Sequence, residues 1–142
     1  MIKQERVFIL QEYSTIQIES NSGYAVNIVL NISKGNLKSK HSSVIYEYIG
    51  RGDATRVKSI SILGGAFTSK AGKNAFLLSN SFKDIHPTFI SGGKFSSNPK
   101  DYLKSGYTTN LENNYYDVSK GAIAVFGVKT NNILTYYKIC LL

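Results

Sequence analysis

Residues 24–33 read Tyr24-Ala25-Val26-Asn27-Ile28-Val29-Leu30-Asn31-Ile32-Ser33, a stretch with period two. Tyr24, Val26, Ile28, Leu30 and Ile32 fall on one face, and the more mixed set of Ala25, Asn27, Val29, Asn31 and Ser33 falls on the other. Side chains alternate across a strand, so the segment can bury the first face and wet the second. That is the grammar of a half-buried β-strand.

The same grammar extends in both directions. Arg6–Gln11 and Ser14–Glu19 precede the stretch, and Asn21-Ser22-Gly23 supplies a turn before it. Ser43–Ile49, Arg56–Leu63, Ala75–Ser79, Thr88–Ser91, Ala122–Lys129 and Ile133–Leu141 follow as further strands. In Arg56–Leu63 the pattern sets Lys58, Ile60 and Ile62 opposite Val57, Ser59, Ser61 and Leu63. Asn131-Asn132 between the last two strands is a two-residue polar turn and predicts a C-terminal hairpin. The one helix signal is short: Asn98 as cap, Pro99 at the first helical position, Asp101 in the first turn and Gly106 as the stop.

Many short strands and at most one short helix near 99–105 predict an all-β fold. We expect a single-domain antiparallel β-sandwich over residues 1–142, with jelly-roll-like wiring. Ile62-Leu63-Gly64-Gly65-Ala66-Phe67 echoes Ile90-Ser91-Gly92-Gly93-Lys94-Phe95 at an offset of 28 residues. Two copies fall short of the three units that a stacked repeat needs, so the echo reads as a shared turn solution.

Composition narrows the functional classes. Hydrophobic content of 42% is too high for a disordered chain. Cys140 is the only cysteine, which excludes an internal disulfide and reads as a small packed hydrophobe. The first residues are charged, and no apolar run reaches the length of a membrane span or a secretory signal, so we expect synthesis in a cytoplasm, with incorporation into a particle as one destination.

Catalytic grammar is sparse. Gly72-Lys73 is followed by Asn74, and Phe67 stands where a phosphate loop needs its leading glycine. His41 and His86 lack the spacing of metal ligands, and no carboxylate pair is favoured for acid–base work. We therefore expect no catalytic residue, no metal and no cofactor. Arg51-Gly52-Asp53 has the form of a cell-adhesion tripeptide but reads as turn punctuation.

The formal net charge is +8, and residues 34–104 carry all of it, with twelve Lys or Arg against four acids. The basic residues lie in predicted loops: Lys34, Lys38, Lys40 and His41, then Lys70 and Lys73, then Lys94, Lys100 and Lys104. Tyr102, Tyr107, Tyr115 and Tyr116 lie near the last group. Lysines attract phosphate or carboxylate, and tyrosine faces stack on bases or sugar rings, so these residues form a candidate contact surface. With only three arginines, bidentate readout of bases is disfavoured.

The expectation is a non-enzymatic structural or assembly module, of the capsid, decoration or tail type found in virions. Its partners would be other protein subunits, including copies of itself. Carbohydrate or cell-surface recognition is one alternative, and nonspecific polyanion or nucleic-acid binding through the lysine-rich loops is another.

Overall fold

The computed structural model describes residues 14–20, 27–50, 54–130 and 133–140, the last two strands by their backbone alone. The expected strand at Arg6–Gln11, the turns at 21–23 and 131–132, Arg51-Gly52-Asp53 and the packing of Cys140 lie outside this description.

The fold is all-β. Strands β1 (Ile16–Ser20), β2 (Ile28–Ile32) and β3 (Asn36–Lys38) form a first circuit, or rung. β4 (Ile45–Ile49), β5 (Val57–Ile62) and β6 (Ala66–Thr68) form a second rung. A third contains β7 (Phe76–Leu77), the helix α1 (Asn80–Ile85), the residue Ile90, which bridges to Ile62 on one side and Leu103 on the other, and β8 (Gly93–Phe95).

Each strand lies parallel to its counterpart one rung on. Ile16 pairs with Ile45 and Ile45 with Phe76; Asn36 pairs with Ala66 and Ala66 with Lys94. β2 pairs with β5, and Ile62 bridges to Ile90. The offsets run from 28 to 31 residues, so the chain winds as a three-faced parallel β-solenoid.

This replaces the antiparallel sandwich and its jelly-roll wiring. Period-two alternation reports which face of a strand is wet, and it is silent about the direction of the neighbouring strand. The expected inward set of β2 holds where the structure describes it: Ile28, Leu30 and Ile32 face in, and Val29 and Asn31 are exposed. In β5 the pattern is interrupted. Ile28 pairs with Val57 but Val29 pairs with Ser59, leaving Lys58 as the extra residue of a bulge. The bulge lets Val57 and Ile60 both point inward, against the uniform alternation expected there.

Stacking also explains the 28-residue echo, which is a repeat after all. Its third copy is Ile32-Ser33-Lys34-Gly35-Asn36-Leu37. Ile32, Ile62 and Ile90 line up in the core, as do Leu37, Phe67 and Phe95. The rings of Phe67 and Phe95 lie 4.7 Å apart and 9° from parallel, matching the spacing of adjacent strands.

Between the second and third faces the chain turns through Gly35, Gly65 and Gly93, each with φ between 102° and 111°. Gly92, the residue before the last of these, is held for a different reason: a Cβ there would run into the carbonyl oxygen of Leu63 on the rung below. Gly92→Ala is therefore expected to cost about 3 kcal/mol in urea unfolding, because two backbones must move apart.

The third rung departs from the other two. The expected strand Ala75–Ser79 is shortened to β7 at Phe76–Leu77 and followed by α1, and the expected strand at Thr88–Ser91 is reduced to bridges at Ile90. Ser79 caps the helix by accepting from the Phe82 N–H at 3.1 Å, and Phe82 is fully buried. His86 ends the helix, and its Nε2 donates to the Val57 carbonyl at 2.8 Å. The helix expected near 99–105 is a single 3-10 turn at Lys100–Tyr102, with Pro99 at its cap instead of the first helical position and Leu103 already extended.

The sheet of β3, β6 and β8 is extended by an antiparallel hairpin, β9 (Tyr107–Glu112) and β10 (Tyr115–Lys120), in the order β3-β6-β8-β10-β9. Asn113 and Asn114 make its turn with φ of 50° and 64°, the left-handed pair of a type I′ connection. β11 (Ile123–Thr130) and β12 (Ile133–Cys140) form the expected C-terminal hairpin in antiparallel register.

One buried acid ties the rungs together. Glu47 is 4% exposed. Its Oε1 accepts from Ser20 Oγ at 2.7 Å and Thr55 Oγ1 at 2.5 Å, and its Oε2 accepts from Ser79 Oγ at 2.5 Å and Ser79 N–H at 3.2 Å. Ser20, Glu47 and Ser79 belong to the first, second and third rungs, so the carboxylate is a vertical pin. Four donors replace the water it gives up.

Candidate functional site

The turns joining the third face of one rung to the first face of the next are built from serines and lysines. In the first turn, Ser39 Oγ accepts from the Ser42 N–H at 3.1 Å. The second stacks on it, with the Lys70 N–H donating to Ser42 O and the Val44 N–H to Ala75 O. The third stacks in turn: Ser69 N–H donates to Ser96 Oγ at 2.9 Å and Ala75 N–H to Ser97 Oγ at 2.7 Å. The buried polar backbone of the corner is thus paired by short hydroxyl side chains.

Those serines point inward, and the lysines beside them point out. Lys40 and His41 in the first turn, Lys70 and Lys73 in the second, and Lys100 after the third are all exposed. Successive rungs lie about 4.8 Å apart, so the stacking draws basic groups some thirty residues apart in sequence, Lys40 with His41 and Lys70 with Lys73, into one edge, and Lys100 follows the third turn at the start of the 3-10 helix. Asp101 is the one acid in these turns. Lys38, at the end of β3, is exposed next to the edge.

Other expected contact residues lie elsewhere. Lys34 and Lys94 sit at the opposite margin of the third face, where Lys94 Nζ is 3.6 Å from Asp117 Oδ2. Together with Asn36 and the glycine corner they border an open groove of about 380 Å³. Lys104 is half-buried, its N–H bonded to Ile90 O.

The tyrosines do not form one stacking platform. Tyr102 packs 5.1 Å from Phe89 and 5.5 Å from Phe76, ring centre to ring centre, and Tyr107 and Tyr116 also pack against the core. Only Tyr115 faces outward with the sheet, its Oη 2.9 Å from Thr68 Oγ1. Burial, and then the charge of Asp101, raises the Tyr102 pKa above its ordinary value of 10.0. The native state therefore holds this proton more tightly than the unfolded chain, and its share of stability is present below about pH 10 and lost as pH rises through the native pKa. Tyr102→Phe should flatten the alkaline fall in melting temperature. An unchanged slope would show that other groups carry it.

Asn36, Thr68 and Asp117 were not among the expected contact residues, yet registration puts them on the outer face of the five-stranded sheet. One column across it reads Asn36, Ala66, Lys94, Asp117, Asn110; beside it stand Lys38 and Thr68, with Tyr115 bonded to the latter. The face is polar and paved with hydroxyls and amides.

Among the described residues no group of three or more His, Cys, Asp or Glu is placed to hold a metal, and no helix is long and apolar enough to cross a membrane. No protein family, curated protein or solved structure matches the chain.

Proposed function

We propose that the chain is a non-enzymatic contact module that takes hold of an acidic partner along its lysine-bearing edge. The observation that carries this reading is the stacking of the turn that bears Lys40 and His41 on the turn that bears Lys70 and Lys73, with Lys100 exposed just beyond the third turn at the start of the 3-10 helix. An edge with a strong excess of positive charge attracts polyanions, and each bound acidic group releases a counterion.

Heparin serves as the test polyanion. Affinity is expected to fall roughly a hundredfold between about 50 and about 200 mM salt, as the four lysine contacts require. The triple variant Lys40→Glu, Lys70→Glu, Lys100→Glu should lose binding, whereas Lys83→Glu on α1 should keep most of it. Parent-like binding by the triple variant would dispose of the proposal.

A second reading, as a subunit of a virion-type particle, is favoured by a separate observation. Among the described residues β1, β2 and β3 have no neighbour on their outer side, and an unpaired strand edge is a template for another chain. Exposed Tyr48 and Leu77 on the first face add apolar area for such a contact. Light scattering that gives a discrete oligomer would support this reading, and a monomer at high concentration would count against it.

A further inference from the structure

We infer that the acidic partner is a linear acidic polysaccharide, lying along the solenoid axis with its charged groups on the lysine edge and its rings against the outer face of the five-stranded sheet. The inference rests on the polyanion reading and goes further by choosing among polyanions.

Three features make the choice. The first is the character of the cations. Arg56, the one arginine among the described residues, is half-buried, so the edge is made of lysines, which meet an anion as point charges rather than as planar forks. The second is the lack of a stacking surface. Single-stranded nucleic acids are held by aromatic platforms, but Tyr102, Tyr107 and Tyr116 are packed against the core. Of the four tyrosines near the edge Tyr115 alone faces outward, and one ring suits one sugar better than a run of bases.

The third is what borders the edge. Leaving the lysines, the sheet surface passes through Lys38, Thr68 and Tyr115 to Asn36, Lys94 and Asp117, and then into the groove floored by Gly35, Gly65 and Gly93. Sugar hydroxyls can donate to the Asp117 carboxylate and exchange hydrogen bonds with Asn36 and Thr68. The spacing agrees: rungs repeat about every 4.8 Å, close to the length of one sugar ring, so acids on neighbouring sugars can meet the first and second lysine-bearing turns.

Binding is measured by calorimetry at constant salt for four probes: polygalacturonate oligomers, heparin oligomers, a neutral dextran and a single-stranded oligothymidylate of matched charge. The acidic glycans are expected to bind at least tenfold tighter than the oligonucleotide, dextran weakly or not at all. Affinity should climb with chain length to about three sugars, one per rung, and then level off. Asn36→Ala combined with Tyr115→Ala should weaken glycan binding about tenfold and leave oligonucleotide binding as it was; circular dichroism and melting temperature establish that the variant is folded. Equal or tighter oligonucleotide binding, or glycan binding indifferent to that double variant, overturns the inference while leaving the lysine edge as a polyanion site. Failure of every charged probe to bind overturns both.

Discussion

Truncating Glu47 to alanine is expected to cost about 4 kcal/mol of unfolding free energy, since its removal strands several buried or half-buried donors at once. Ser20 Oγ, Thr55 Oγ1, Ser79 Oγ and the Ser79 N–H all lose their acceptor, and these groups come from three rungs and a helix cap. Ser79 also accepts from the Phe82 N–H, so α1 loosens together with the pin. Glu47→Gln should fall between the parent and alanine, because one oxygen survives as an acceptor while the new amide brings donors where donors already point. Urea unfolding of the three proteins checks the order. If alanine were tolerated within about 1 kcal/mol, water would have to reach the donors freely, and Glu47 would not be the pin described.

Phe67→Ala is expected to cost a similar amount, about 4 kcal/mol, through a different mechanism. The side chain is completely buried in the middle rung, stacked on Phe95 and 6.1 Å from Phe76, ring centre to ring centre. A methyl group in its place leaves a void bounded by strands whose separation is set by backbone hydrogen bonds and cannot close. In a stacked array each rung leans on its neighbours, so amide exchange should quicken around Leu37 and Phe95 as well as at the mutated site. Leu37→Ala, at a half-buried position, should cost about half as much. Exchange confined to the mutated strand would argue against this nearest-neighbour coupling.

The sequence made the β character and the inward faces legible, because alternation of Ile, Leu and Val with Asn, Ser and Lys is itself a record of which side is wet. Ile28, Leu30 and Ile32 were readable one by one. The direction of pairing was not, since a strand in a solenoid and a strand in a sandwich can carry the same alternation. The deciding signal was the third copy of the corner motif at Ile32–Leu37. It is masked by Lys34 where the other copies have glycine and by Leu37 where they have phenylalanine.

The physical reason for Lys34 follows from the stacking. Gly64 and Gly92 each lie over a carbonyl oxygen of the preceding rung, whereas Lys34 belongs to the first described rung, and its side chain borders the groove. α1 was missed because its six residues are too few for helical periodicity, even though Ser79 and Pro87 mark its two ends. The β9–β10 hairpin was missed because Tyr107–Glu112 is largely polar and shows no alternation, leaving only Asn113-Asn114 as a sign. Of the candidate site, the lysines were legible as a class. Their gathering needed the rung length: Lys40 and Lys70 stand thirty residues apart, a spacing with meaning only in a chain that coils.

The parallel winding itself is tested most directly by nuclear Overhauser contacts in isotopically labelled protein. The account predicts contacts linking Leu37 to Phe67 and Phe67 to Phe95, and likewise Ile32 to Ile62 and Ile62 to Ile90. Close contacts between α-protons of β4 and β5, as antiparallel neighbours in a sandwich would give, would contradict it.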